Sequence, residues 1–302
     1  MLHALLFPLA DQWILFNVLK YITFRAVGGL LTAMVLYFSL NRIQIGLLAK
    51  LQIRQSIRAE GPKHHQVKAG TPTMGGVLIW FCVFCATLLW MDLGNLIVWI
   101  ALGLFSGFAL IGFWDDYRKI AHSSNLGLEG RYKLLMQLFI GLLGILLYFH
   151  FFPAESRLSF PFFKFFMPDL GLWYLPFALI VIVGASNAVN LTDGLDGLAT
   201  GPSILAFGTL AVLAYLAGNA KISTYLQIPF IAGSGELAVF CAIVCGALVG
   251  FLWFNSYPAE IFMGDVGSLP LGGAMGFVGL VTKNEILLVL IGGIFVLEAI
   301  SV

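Results

Sequence analysis

Nine times along this chain, apolar residues run on for roughly the thickness of a bilayer: near 22 to 40, 74 to 91, 96 to 114, 134 to 152, 172 to 186, 203 to 218, 237 to 254, 267 to 281 and 286 to 302. A transmembrane helix needs about 20 mostly apolar residues, because every backbone polar group must be satisfied within the segment when lipid offers no partner. With 60% hydrophobic and only 10% charged residues, no soluble domain of useful size is left over. The reading is an all-α, polytopic transmembrane helix bundle, a single integral membrane domain over 1–302, with about nine spans and the last stopping at the chain end. The first residues lack the charged start and small-residue cleavage site of a signal peptide, so the first span is read as permanent.

Orientation follows from lysine and arginine in the short loops. Arg42, Lys50, Arg54, Arg58, Lys63 and Lys68 follow the first span, and Arg118, Lys119, Arg131 and Lys133 follow the third. Loops of the other parity hold only Arg157, Lys164, Lys221 and Lys283. Both basic loops are therefore expected in the cytoplasm and the N-terminus outside, despite Lys20 and Arg25. By alternation, residues 187 to 202 and 255 to 266 are cytoplasmic too.

Small residues four apart, Gly103 with Gly107, Gly246 with Gly250 and Gly272 with Gly276, predict close helix packing. Cys82, Cys85, Cys241 and Cys245 lie inside apolar runs without polar neighbours and are read as packing thiols, not as ligands. No internal repeat suggests the inverted halves of many transporters.

The acidic residues are more specific, since carboxylates near a membrane are costly and usually face a cavity or a partner. Asp115 and Asp116 stand in "GFWDDYRK", Asp193 and Asp196 in "NAVNLTDGLDGLA", and Asp265 in "FMGDVGS", all at helix ends on the expected cytoplasmic side. Adjacent carboxylates repel, so the Asp115–Asp116 pair calls for a compensating cation or proton. An oxygen-rich site completed by water and phosphate is what Mg2+ prefers. If its stretch is helical, Asp193 shares a face with Asp196 and with Asn190. The spacing fails that of a calcium loop. Gly194, Gly197, Gly264 and Gly267 flank these acids and suit close approach to a ligand. The segment "EGPKHHQVKAGTPTMGG", residues 60 to 76, adds Lys68, Thr71 and Thr73 as phosphate contacts without Walker spacing, and its adjacent His64 and His65 suit a solvated loop.

These four motifs, in this order and at these span ends, resemble those of the phospho-N-acetylmuramoyl-pentapeptide-transferase family, within the polyprenyl-phosphate N-acetylhexosamine-1-phosphate transferases. The likeness runs along essentially the whole chain. It implies transfer of phospho-MurNAc-pentapeptide from UDP-MurNAc-pentapeptide to undecaprenyl phosphate, giving lipid I and UMP, with Mg2+ as cofactor. It further implies a multi-pass protein of the bacterial inner membrane, among membrane lipids, with its site facing the cytoplasm. A homodimer is compatible with it, and nucleic acid is not expected as a partner.

Carried onto matching positions, the resemblance makes Asp265 the metal ligand and Asp115 and Asp116 the acidic pair near the lipid phosphate, which could also reach the metal. It puts Asn187, Asn190, Asp193 and Asp196 around the nucleotide and metal, and Phe262 against uracil. Lys68, Thr73, Lys119, Lys133, Asn255 and Ser268 are its polar contacts. Family members also have a further cytoplasmic loop with a histidine-rich motif and a tenth span. Read as a fragment that stops at Val302, the chain is expected to be poorly active. Two rivals share features: a sibling transferase using UDP-GlcNAc, and a secondary transporter. The loop at 60 to 76 favours the muramoyl enzyme, and the clustering of carboxylates on one membrane side disfavours transport.

Overall fold

The computed structural model describes residues 2–11, 13–51, 71–121, 127–153, 155–161, 163 and 166–301, and the described residues form no β-strand. The helices that build the bundle are α1 (Ile22–Lys50), α2 (Gly76–Trp90), α3 (Leu96–Ala121), α4 (Gly130–Phe151), α5 (Tyr174–Thr192), α6 (Thr200–Ala217), α7 (Gly235–Asn255), α8 (Asp265–Val281), α9 (Leu287–Ile291) and α10 (Gly293–Ser301). Short helical turns precede α1, and Ala220–Leu226 lies between α6 and α7.

Among the described residues, six segments are long and apolar enough to cross a membrane: Ile22–Lys50, Leu96–Ala121, Gly130–Phe151, Gly171–Thr192, Thr200–Ala217 and Gly235–Asn255. Of the nine expected spans, six are therefore long enough; at the other three positions stand two shorter apolar helices, α2 and α8, and a broken final pair, so the structure supports a polytopic helical bundle and not the full count of nine. The run from 286 was expected as one helix, but it is interrupted at Gly292, between α9 and α10.

The architecture has a centre and a rim. After its first residue, α8 is buried throughout, and it packs against α3 and α5, while α7 packs against α1 and α6. Leu134, Phe139, Leu143 and Leu146 on α4 instead point outward, as a lipid-facing surface should. A helix wholly wrapped in protein need not match the bilayer thickness, which explains how α8 remains short. Gly272 and Gly276 allow this wrapping, because a Cβ on Gly272 would stand 2.3 Å from the Ala185 carbonyl oxygen of α5. Gly246 plays the same part against Leu30, but Gly103 faces open space, so its predicted packing role is not met.

At the end of the bundle away from the acidic motifs, Arg25 makes a two-pronged ion pair with Glu236, at 2.8 and 2.5 Å. Glu236 also accepts from the Asp92 backbone N–H at 2.9 Å, so the pair ties α1, the end of α2 and α7 together. Arg25, the residue that ran against the charge bias, is therefore buried and neutralised. Removing one partner of a buried pair strands the other charge, at a cost of about 3–5 kcal/mol. Glu236→Ala is expected to lower Tm clearly in detergent; an unchanged Tm would show that the pair contributes nothing net.

Candidate active site

The site is assembled at the starts and ends of four helices. On α3, Asp115 and Asp116 are both buried at the point where the apolar run gives way to charge. Asp265 opens α8 and is presented by Gly264, whose φ of 75° is in the left-handed region. A Cβ at Gly264 would stand 2.6 Å from an Asp116 carboxylate oxygen, so glycine is required for both conformation and space. One carboxylate oxygen from each of Asp115, Asp116 and Asp265 falls within 4.8 Å of the others.

Every member of this triad is held by donors. Asp115 Oδ1 accepts from the Leu128 backbone N–H at 2.7 Å, and its Oδ2 pairs with Lys119 Nζ at 2.6 Å. Asp116 Oδ2 accepts from the Val266 N–H at 3.1 Å, which satisfies an otherwise free donor at the start of α8. Asp265 is gripped on both oxygens: Asn190 Nδ2 donates to Oδ1 at 2.8 Å, while Lys133 and Lys119 reach Oδ2 at 2.6 and 3.1 Å. Asn190 also donates to Ser268 Oγ at 2.8 Å.

Asp193 follows α5 and accepts from the Gly264 backbone N–H. Burial first, then the charges of Asp265 and Asp116, push its carboxyl well above the usual carboxylate range. The expected shared face of Asp193 and Asp196 is not formed. The helix stops at Thr192 and residues 193–199 turn, with Gly197 at φ 73°, so Asp196 instead accepts from Ala259 N–H at 3.2 Å.

A second strand of support comes from the segment before α2. Phe262 N–H donates to the Pro72 carbonyl at 2.9 Å, and Gly75 and Gly76 donate back to Phe262 and Met263 at 2.8 and 2.9 Å. This short ladder sets Thr73 beside Gly264 and fixes the backbone that carries Phe262 and Asp265. Gln44 of α1 braces it by donating to the Met74 carbonyl at 3.1 Å. Of the other predicted residues, Asn255 is buried, accepting from Gly197 N–H and Thr200 Oγ and donating to the Ile261 carbonyl. Asn187 faces Gln137 on α4 and the Val183 carbonyl. Lys68 lies outside the described residues, as do His64 and His65. The four cysteines are free thiols, as their apolar surroundings predict.

The donor set suits a hard divalent cation. Its oxygens are carboxylates, and three clustered acids, Asp115, Asp116 and Asp265, stand against two lysines, Lys119 and Lys133, in a poorly hydrated place. Asp115, Asp116 and Asp265 are the residues that would hold it.

The model of "Glycosyl transferase family 4" matches residues 98–283, from α3 past the end of α8, and "Phospho-N-acetylmuramoyl-pentapeptide-transferase signature 1" matches residues 68–79. Proteins with the name phospho-N-acetylmuramoyl-pentapeptide-transferase match over the full chain: 52% identity in Citrifermentans bemidjiense, 54% in Desulfosudis oleivorans and 52% in Thermodesulfovibrio yellowstonii. The chain belongs to this family. It spans 84% of the length of each of these three relatives. The signature covers the very segment that pairs with Phe262 and Met263, so what marks the family in sequence also builds the rim of the triad. Gln137, Gln44 and the Leu128 backbone donor are neighbours of the candidate site that no sequence motif singles out.

Proposed function

We propose that this protein transfers phospho-MurNAc-pentapeptide from UDP-MurNAc-pentapeptide to undecaprenyl phosphate, forming lipid I and UMP in peptidoglycan synthesis, with magnesium as cofactor. The observation that carries the reading is the full-length match to transferases of that name, joined to an acidic triad of matching chemistry. The segment-specific signature at 68–79 favours the muramoyl substrate over UDP-GlcNAc.

In the reaction, an oxygen of the lipid phosphate attacks the sugar-linked phosphorus of the diphosphate. The bond from that phosphorus to the bridging oxygen breaks, and UMP leaves with the electron pair. A phosphate monoester has a second pKa of about 6, so the nucleophile is mostly dianionic at neutral pH and needs little help from a base. The demand is then to hold two anions together, as expected when phosphoryl transfer is dominated by positioning and electrostatics. Magnesium held by Asp115, Asp116 and Asp265 would neutralise the charge that builds up on the diphosphate.

Both Asp115 oxygens are engaged, by Leu128 N–H and Lys119, which suits an orienting residue better than an attacking one. This favours direct attack over a phospho-aspartyl intermediate. Lys119 and Lys133 supply point charges to phosphate oxygens, Phe262 stacks on uracil, and Asn187, Asn190, Asp193, Asp196, Asn255, Ser268, Thr73 and Lys68 complete the nucleotide and phosphate contacts.

The acidic end faces the cytoplasm of a bacterial inner membrane in this reading. Arg118, Lys119, Arg131 and Lys133 lie at that end, whereas at the other end Arg25 is paired with Glu236 and Lys283 lies 3.9 Å from Glu285. Full-length protein supplied with polyprenyl phosphate is expected to release UMP from UDP-MurNAc-pentapeptide with magnesium, and to stop on chelation. Release from UDP-GlcNAc instead would assign it to the sibling activity, and trapping of a phospho-aspartate would overturn direct attack.

A further inference from the structure

Of all the helices at the site, α4 is the least embedded. It packs on α3 and α5 and turns Leu134, Leu135, Phe139 and Leu143 outward. Yet it must hold Lys133 on Asp265 at 2.6 Å. Among the described residues of α4 before Gly141, Gln137 alone is buried, one turn beyond Lys133. Its side chain meets Asn187 of α5 amide to amide: Asn187 Nδ2 donates to Gln137 Oε1 at 2.8 Å, and Gln137 Nε2 donates to Asn187 Oδ1 at 3.4 Å. Asn187 Nδ2 also donates to the Val183 carbonyl at 2.8 Å, which fixes its own rotamer. One turn further along α5 stands Asn190, the residue that donates to the other oxygen of Asp265.

The two helices therefore run antiparallel, are tied by one reciprocal amide pair, and each delivers one donor to Asp265 from the adjacent turn. We propose that Gln137, through Asn187, is a positioning residue that sets the register of α4 against α5, so that Lys133 and Asn190 grip opposite oxygens of Asp265. Apolar contact fixes the register of α4 on α5 only loosely at Gly141, where a Cβ would meet Leu179, Ile182 and Val183 of α5 at ordinary distances of 3.4–3.8 Å with no interlocking. The amide pair at the same interface fixes it, because slippage breaks both hydrogen bonds and leaves the fully buried Gln137 without a partner, although Asn187 itself is only half-buried. A hydrophobic residue at 137 would pack as well and specify nothing. As a contribution to turnover, the proposal rests on the transferase reading above; as a statement about geometry, it does not.

The test uses full-length protein in four forms: Gln137→Leu, Gln137→Asn, Asn187→Gln, and the exchange Gln137→Asn with Asn187→Gln. The exchange keeps both amides and the total side-chain length. Each single change is expected to lower kcat about tenfold to a hundredfold, as displacements near 1 Å do; for the two Gln137 variants, whose side chain is given no substrate contact, KM for the nucleotide sugar should stay within about twofold. The exchange is expected to recover most of the loss, a rescue that general destabilisation would not give.

A second readout needs no substrate: acylation of Lys133 by a water-soluble amine reagent, followed by mass spectrometry. It should rise severalfold in the single variants and fall back in the exchange. Wild-type kcat and unchanged Lys133 labelling in Gln137→Leu would overturn the proposal, as would kcat losses that track Tm and are not rescued by the exchange. If the wild type releases no UMP, the transferase reading fails, while the labelling pattern still decides the register.

Discussion

Asp265→Asn is expected to abolish magnesium-dependent turnover, lowering kcat by about 10²–10³ or more, with no rescue at high magnesium. The substitution keeps the side chain's size and one acceptor oxygen, so Asn190 still has a partner and the bundle still folds. Charge is what changes. Lys119 and Lys133 both converge on Asp265 Oδ2, and an amide there leaves two ammoniums facing each other without the shared carboxylate. The triad that brings three oxygens within 4.8 Å is reduced to the two carboxylates of α3, and a divalent ion loses the ligand contributed by α8. Adding more metal restores occupancy only when affinity is the sole loss; here the tie between α3 and α8 at the reacting phosphates is lost as well. UMP release measured across a magnesium titration, beside Tm as a check on folding, decides the matter. Near-normal rates would remove Asp265 from the site.

Asp265 is legible in the sequence because charge is conspicuous in an apolar chain. Asp115, Asp116 and Asp265 each interrupt a long hydrophobic run, and such residues are retained only where something compensates them. The helical class is legible for the same reason, since nothing else satisfies the backbone over so many apolar residues.

What the sequence hides is conditional on neighbours far away in the chain. Arg25 finds its partner 211 positions later, and Phe262 pairs with Pro72 from the far side of helices α2 to α7. The shared face of Asp193 and Asp196 assumes a helix, and Gly197 at φ 73° removes it. Gln137 carries no signal of its own because one amide in an apolar run forms no motif; its meaning exists only opposite Asn187. The break at Gly292 is hidden for the converse reason, since hydropathy does not register a backbone turn.

Gly112→Ala makes the sharpest use of the distance between sequence and structure, because the two predict opposite signs. In a helix interior, alanine for glycine should stabilise by about 1 kcal/mol. In the fold, a Cβ at 112 would stand 2.1 Å from the Asp265 carbonyl oxygen and 2.5 Å from the Val266 N–H nitrogen. Backbone atoms cannot rotate out of the way, so α3 and the start of α8 must separate by roughly 1 Å to restore ordinary contact, a displacement that can cost about 10² in rate. The separation falls one turn from Asp115 and Asp116, and it pulls Val266 N–H from Asp116 Oδ2. Tm is therefore expected to fall and kcat to drop about 100-fold, from one methyl group that touches no substrate. Gly103 on the same helix supplies the control, since nothing lies within 4 Å of its Cβ position. There the propensity term acts alone, and Gly103→Ala should leave kcat unchanged while holding Tm level or raising it. Equal behaviour of the two variants would mean that the close approach of α3 to Asp265 does not govern the site.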